Sequence, residues 1–181
     1  MVGTLTERLF VAVAPPDEVR AAIHEWRADL DLPGRLVPPA NLHITLRFIG
    51  PVEAVGRDRL VAALDEADLG AGFRLRLDGL GAFPSKRRAT VAWVAVEGAT
   101  ETLTGLADTV DDVVADAGLG HEERPFRPHL TVSRIRPPED LRGLDPGPLG
   151  ARFAVGQIVL YRSNLEGGMV FYEPLERFSL R

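Results

Sequence analysis

Residues 41–50 read Asn-Leu-His-Ile-Thr-Leu-Arg-Phe-Ile-Gly, and their core, His43-Ile44-Thr45-Leu46, returns downstream as His129-Leu130-Thr131-Val132. Each copy is His, apolar, Thr, apolar. A β-strand sends alternate side chains to opposite faces, so each copy reads as a strand with His and Thr on one face and apolar residues on the other. In the first copy that alternation places Leu42, Ile44, Leu46 and Phe48 on the buried face and His43, Thr45 and Arg47 on the open one. Side chains two residues apart on a strand stand roughly 6–7 Å from one another, a span that accommodates a phosphate with a hydrogen-bond donor on either side. The chain holds four histidines in 181 residues, 45% of them apolar. Two chance matches among four histidines have a probability on the order of 0.3% for so short a motif, so the duplication is read as functional. A single copy would be read as the wet face of an ordinary strand.

The elements around the two motifs set the fold class. Residues 8–14 (RLFVAVA) form a buried strand, and Pro15-Pro16-Asp17 breaks it and opens a helix. Val19, Ala22, Ile23, Trp26 and Leu30 make one apolar stripe at helical spacing, which puts Trp26 in the core and leaves His24 solvated. Residues 36–38 fit a short edge strand, and residues 55–68 a second helix. Residues 73–78 alternate strictly and read as a half-exposed strand, followed by a loop over 79–88 that carries Lys86-Arg87-Arg88. Residues 90–96 are a strand in which Trp93 packs. A third helix follows with Leu103, Leu106, Val110 and Val114 inside, and Gly118 and Gly120 end it, leaving His121 exposed. Residues 124–128 run extended into the second motif. Residues 137–150, with four prolines and three glycines, read as a long loop, and residues 153–161 and 169–178 as a closing strand pair. The order predicts an α+β fold of mostly antiparallel sheets with helices outside. No stretch resembles a linker, so residues 1–181 read as one domain.

Bulk properties narrow the function. There is no cysteine, which removes disulfides and thiolate metal sites and fits a cytoplasmic protein. No apolar run approaches the length of a membrane span, and no secretory leader pattern is visible. A formal net charge of −5 argues against a protein that coats nucleic acid without specificity. It leaves room for a local basic cleft, and 20 of the 21 basic residues are Arg, which forks onto phosphate oxygens.

The paired motifs suit phosphoryl transfer. That reaction asks the protein for an attacking and a leaving oxygen in line and for stabilised phosphoryl oxygens. Histidine titrates near neutrality, so one imidazole can take a proton while the other gives one, and a Thr hydroxyl can donate to a non-bridging oxygen. Other chemistries fit less well. Neither motif has further ligands at zinc spacing, there is no G-x-S-x-G elbow, and no Walker A sequence is present.

The chain resembles the 2H phosphoesterase superfamily, and within it the RNA 2′,3′-cyclic phosphodiesterases, also called 2′-5′ RNA ligases. The resemblance rests on RLFVAVAPPDEV, NLHITLRFIG, RPFRPHLTVSRI and LYRSNLEGGMVFYEPLERF, and spans nearly the whole chain. Ser133 and Arg134 depart from it, standing where many relatives carry an apolar residue. It implies two pseudo-symmetric lobes, each a small antiparallel sheet with outer helices, around a central cleft. It also implies hydrolysis of a 2′,3′-cyclic phosphate, on an RNA end or a nucleoside, to a 2′-phosphate, with no metal and no cofactor. By the same resemblance His43 is the general acid, His129 the general base, Thr45 and Thr131 hold the phosphoryl oxygens, and Arg124 lies near the substrate phosphate. Ligation or 2′-5′ phosphodiester cleavage in the same site, and a non-catalytic nucleotide-binding module, are the alternatives. A monomer acting away from membranes is the expectation.

Overall fold

Residues 6–181 are described by a computed structural model. The strands are β1 (Thr6–Val13), β2 (Arg35–Leu36), β3 (Ile44–Glu53), β4 (Phe73–Phe83), β5 (Ala89–Gly98), β6 (His129–Glu139), β7 (Ala151–Val155), β8 (Gln157–Glu166) and β9 (Met169–Ser179). The helices are α1 (Asp17–Ala28), α2 (Ala54–Glu66) and α3 (Thr100–Val114). The strands form two antiparallel sheets, in the orders β3-β1-β8-β9 and β2-β6-β5-β4-β7. This is the expected α+β arrangement, and each sheet receives one of the two motifs.

β1 is central in its sheet and buried on both faces. Leu9, Val11 and Val13 enter the main core, while Phe10 and Ala12 pack with Val159 and Tyr161 on the opposite face. That is why its sequence is a continuous apolar run rather than an alternating one. In α1, Val19, Ile23 and Arg27 are buried. The guanidinium of Arg27 donates to Val37 O (2.6 Å) and to Val132 O on β6 (3.3 Å). Helix α1 thus leaves the four-stranded sheet in sequence and leans on the five-stranded one, where it meets β7. Helix α3 does the converse. It follows β5 of the five-stranded sheet and packs against β3 and α2 beside the four-stranded one.

Several boundaries differ from the sequence reading. β4 continues to Phe83, through the first half of the stretch read as loop. A register shift between Leu77 and Leu80 takes up Asp78-Gly79, where Gly79 adopts φ +79°, and the strand resumes. β6 likewise runs through Pro137 and Pro138 to Glu139, since it lies outermost there and loses no ladder bond to the prolines. The strand read over 153–161 is in fact two, parted at Gly156: β7 joins β4 in the five-stranded sheet, and β8 pairs with β9 in the four-stranded one, with Gly167 and Gly168 alone forming the turn at positive φ. Trp26 is half-buried, its indole N–H donating to Gly147 O at 3.2 Å. Among the described residues no helix is long and apolar enough to cross a membrane.

Candidate active site

Both motif strands carry a β-bulge directly after the Thr. On β3, Thr45 faces Ala12 and Arg47 faces Val11, so Leu46 is the extra residue. On β6, Thr131 faces Trp93 and Ser133 faces Ala92, so Val132 is the extra residue. A bulge reverses the face of every side chain beyond it. Arg47 therefore turns to the core side, where it is 7% exposed, and Phe48 turns to the open face. This corrects the sequence reading, which had them the other way round. By the same step Ser133 is buried, with its hydroxyl donating to Pro33 O at 2.6 Å, and Arg134 joins His129 and Thr131 on the open face.

The two histidines are held alike. His43 Nδ1 lies 2.7 Å from Asn41 O, and His129 Nδ1 lies 2.7 Å from Arg127 O. A carbonyl oxygen only accepts, so Nδ1 carries the proton in each ring and Nε2 presents its lone pair. His43 Nε2 accepts from the Thr45 hydroxyl at 2.9 Å. Asn41, itself buried, fixes this corner by donating to Val170 O (2.8 Å) and accepting from Tyr172 N (3.3 Å). Aromatic rings enclose both imidazoles. Phe10 and Tyr172 stand 5.0 and 5.1 Å from His43, and Phe83 and Trp93 stand 5.0 and 6.3 Å from His129. Gly81 makes room for Trp93, since a Cβ there would meet the indole ring at 2.1 Å.

These surroundings set the charge state. Burial pushes His43 down to about 4, against the pull of the Asn41 carbonyl, and the charges of Arg134, Arg20 and His129 lower it further. Burial also lowers His129, again opposed by a backbone carbonyl and assisted by Arg134. The two histidines are thus near enough to act on each other, and Arg134 acts on both.

Thr45 and His129 line one cavity of about 740 Å³, together with Phe48, Phe83, Phe126 and Arg124. That volume suits a nucleoside-sized ligand. His43 and Thr131 are outside its lining, the former behind Thr45 and the latter on the β6 face opposite Trp93. Arg124 is mostly exposed and held by Glu122, with Nε to Oε1 at 3.1 Å. The wall that carries it is tied down from β3. Arg47 pairs with Asp111 of α3 at 2.5 Å and donates to Gly120 O at 2.9 Å. Asp111 also accepts from the Glu122 backbone N–H and from His121, which is exposed as expected. Burial would raise the Asp111 carboxyl, but the bonds from His121, Glu122 and Arg47 outweigh it and hold it below the usual carboxylate range. Among the described residues no group of three or more His, Cys, Asp or Glu side chains is arranged to hold a metal ion.

Known proteins share this fold. The family model described as LigT like phosphoesterase matches residues 13–93. An RNA 2′,3′-cyclic phosphodiesterase of Escherichia coli is 33% identical over 96% of this chain and 97% of its own. The chain belongs to the LigT-like phosphoesterases, in the RNA 2′,3′-cyclic phosphodiesterase family. A Thermus thermophilus protein of the same name is 36% identical over 96% of this chain and 90% of its own. The crystal structure of E. coli LigT complexed with 3′-AMP matches with a TM-score of 0.82 at 33% identity, covering 97% of this chain and 98% of that one.

Within this LigT-like fold, the residue that sequence reasoning passed over is Arg134. Its signal is a change of apolar spacing. Leu130 and Val132 are two apart, but the next buried apolar residue, Ile135, is three further on. A step of three inside an alternating strand marks an extra residue, and the polar face resumes one position late.

Proposed function

We propose that this LigT-like protein opens 2′,3′-cyclic phosphates on RNA ends or nucleosides to 2′-phosphates, using His43 and His129 as acid and base without a metal. The observation that carries the reading is the matched pair of imidazoles. Each has Nδ1 committed to a backbone carbonyl, which leaves Nε2 as the proton-exchanging atom, that of His43 reached by the Thr45 hydroxyl. His129 takes a proton from water as the water oxygen bonds to phosphorus. The bond from phosphorus to O3′ breaks, and protonated His43 gives its proton to that oxygen. Solvent then restores the two protonation states. A bound phosphate is an anion and favours the imidazolium that the acid role requires. Thr45, Thr131 and Arg134 share the open face with the histidines, and on this reading they donate to the non-bridging oxygens.

The E. coli and Thermus relatives are named for this activity, and an E. coli LigT structure holds a nucleotide monophosphate. The test is hydrolysis of a 2′,3′-cyclic nucleotide by the wild type, His43→Ala and His129→Ala, with the product's phosphate position identified. Each variant is expected to lose at least about 100-fold in kcat, and a chelator is expected to leave the wild-type rate unchanged. Near-wild-type turnover by either variant overturns the assignment. A second reading, 2′-5′ ligation in the same site, is favoured by the 740 Å³ cavity beside His129, where a 5′-hydroxyl end has room to replace the water. Joining of cyclic-phosphate and 5′-hydroxyl RNA ends is its test.

A further inference from the structure

A second cavity, of about 620 Å³, borders His43 through different residues. Tyr161 and Tyr172, whose rings lie 6.5 and 5.1 Å from His43, line it together with Arg20, Arg177, His24 and Asp17. A smaller cavity of about 310 Å³ shares Arg20, Arg177, Tyr161 and Asp17. Asp17 is the one carboxylate in either lining, against two guanidinium groups.

The two arginines differ in how they are held. Arg20 is fixed: Nε donates to Pro15 O at 2.8 Å, and Nη1 donates to Pro39 O and Ala40 O, both at 2.7 Å. Its Nη2 has no hydrogen-bond partner among the described residues. Arg177 faces Val159 across the β8–β9 ladder, on the open face that Tyr161 shares, and makes no hydrogen bond or ion pair among the described residues. Arg20 is near enough to His43 for its charge to act on that ring.

If His43 protonates O3′, the ribose that keeps this oxygen lies on the His43 side of phosphorus. The 5′ carbon of the same ribose then points away from the reacting centre, into the neighbourhood of this second cavity. We propose that Arg20 and Arg177 bind the phosphate on the 5′ side of the terminal nucleotide, so that the site selects phosphate-bearing ends over a bare nucleoside 2′,3′-cyclic phosphate. The inference rests on the proposed reaction and on His43 as its acid. A guanidinium pair gives charge-assisted, forked hydrogen bonds to phosphate oxygens. The two tyrosines offer rings and hydroxyls beside it.

The experiment compares kcat/KM for three substrates: a nucleoside 2′,3′-cyclic phosphate, its 5′-phosphorylated form, and a dinucleotide ending in the cyclic phosphate. The wild type is expected to prefer both phosphate-bearing substrates by about tenfold or more. The preference is expected to fall by at least about threefold in Arg177→Ala and to disappear in Arg177→Glu. A wild type that opens all three equally overturns the subsite and leaves the reaction standing. A preference for the dinucleotide alone that Arg177→Ala does not alter also overturns it, because that gain belongs to the added nucleoside. A wild type that opens none overturns the proposed reaction itself.

Discussion

His43 is a histidine that its surroundings keep uncharged. Its ordinary value is 6.5, and burial among Phe10, Tyr161 and Tyr172 takes it to about 4. The difference is worth about 3 kcal/mol between protonation states. As pH falls from 6.5 towards 4, the unfolded chain takes up this proton before the folded one does. The unfolded state then binds more protons, and stability drops as the solution is acidified. The contribution is fully present above pH 6.5 and about 3 kcal/mol smaller at pH 4. His43→Gln removes the titrating group, so the variant is expected to lose less stability than the wild type between pH 7 and pH 4. Urea midpoints at the two pH values measure the difference, and equal losses would remove the case for a neutral, buried His43. At this scale the sequence was readable where the rule was local. His and Thr two apart on a strand share a face whatever the fold does, which places both pairs from four letters each. Arg134 was not readable in the same way, since its face depends on a bulge at Val132 that plain alternation does not anticipate. The aromatic enclosure was hidden for another reason. Phe10, Tyr161 and Tyr172 come from three strands scattered along the chain, and only the sheet order brings them to one imidazole.

The bulge on β3 has a structural use beyond turning Phe48 outward. It sends Arg47 to the core side, where the guanidinium fastens Asp111 of α3 and the Gly120 carbonyl, and through Asp111 the segment that carries Arg124. Arg47→Met keeps the apolar stem and removes the charge. It removes the guanidinium beside Asp111 in a place where that side chain is only 21% exposed. The expected cost is about 2–3 kcal/mol, less than for a fully buried pair because water still reaches the carboxylate. The loosened wall of the 740 Å³ cavity is expected to raise KM more than it lowers kcat. Urea denaturation and steady-state kinetics on the same variant check both, and an unchanged KM would limit Arg47 to holding the fold. Elements with plain signals were legible in outline: α1 from its stripe, α3 from Leu103 to Val114, β1 from its apolar run. Strand ends were not. Asp78-Gly79 looks like a terminator, yet β4 absorbs it as a register shift because Leu80 regains a buried place opposite Val94. Pro137 and Pro138 look like loop residues, yet a strand can hold them where no neighbour needs their missing N–H.

At the scale of the whole molecule, the two sheets exchange their helices. Helix α1 belongs by connectivity to the four-stranded sheet but presses on the five-stranded one, and its Arg27 reaches β6. Helix α3 belongs to the five-stranded sheet but lies against β3, with the Asp111–Arg47 pair as its clasp. Buried residues from both sheets and all three helices form one continuous apolar cluster, from Leu9 through Leu77 and Val110 to Phe178, while Phe10, Ala12, Val159 and Tyr161 pack apart on the other face of the four-stranded sheet. Opening either sheet therefore strips the helix that covers the other, and we infer that the lobes have no separate stability and behave as one domain. The chain carries its own reporters for this. Its two tryptophans, Trp26 and Trp93, lie with the five-stranded sheet, and its two tyrosines, Tyr161 and Tyr172, with the four-stranded one. In urea, tryptophan fluorescence, the tyrosine near-ultraviolet signal and far-ultraviolet dichroism are expected to follow one curve with one midpoint. A tyrosine transition separated from the tryptophan transition would show lobes that unfold independently. The proposed active site would then have to be assembled by docking two stable halves, and not by the folding of one core that fixes both histidines at once.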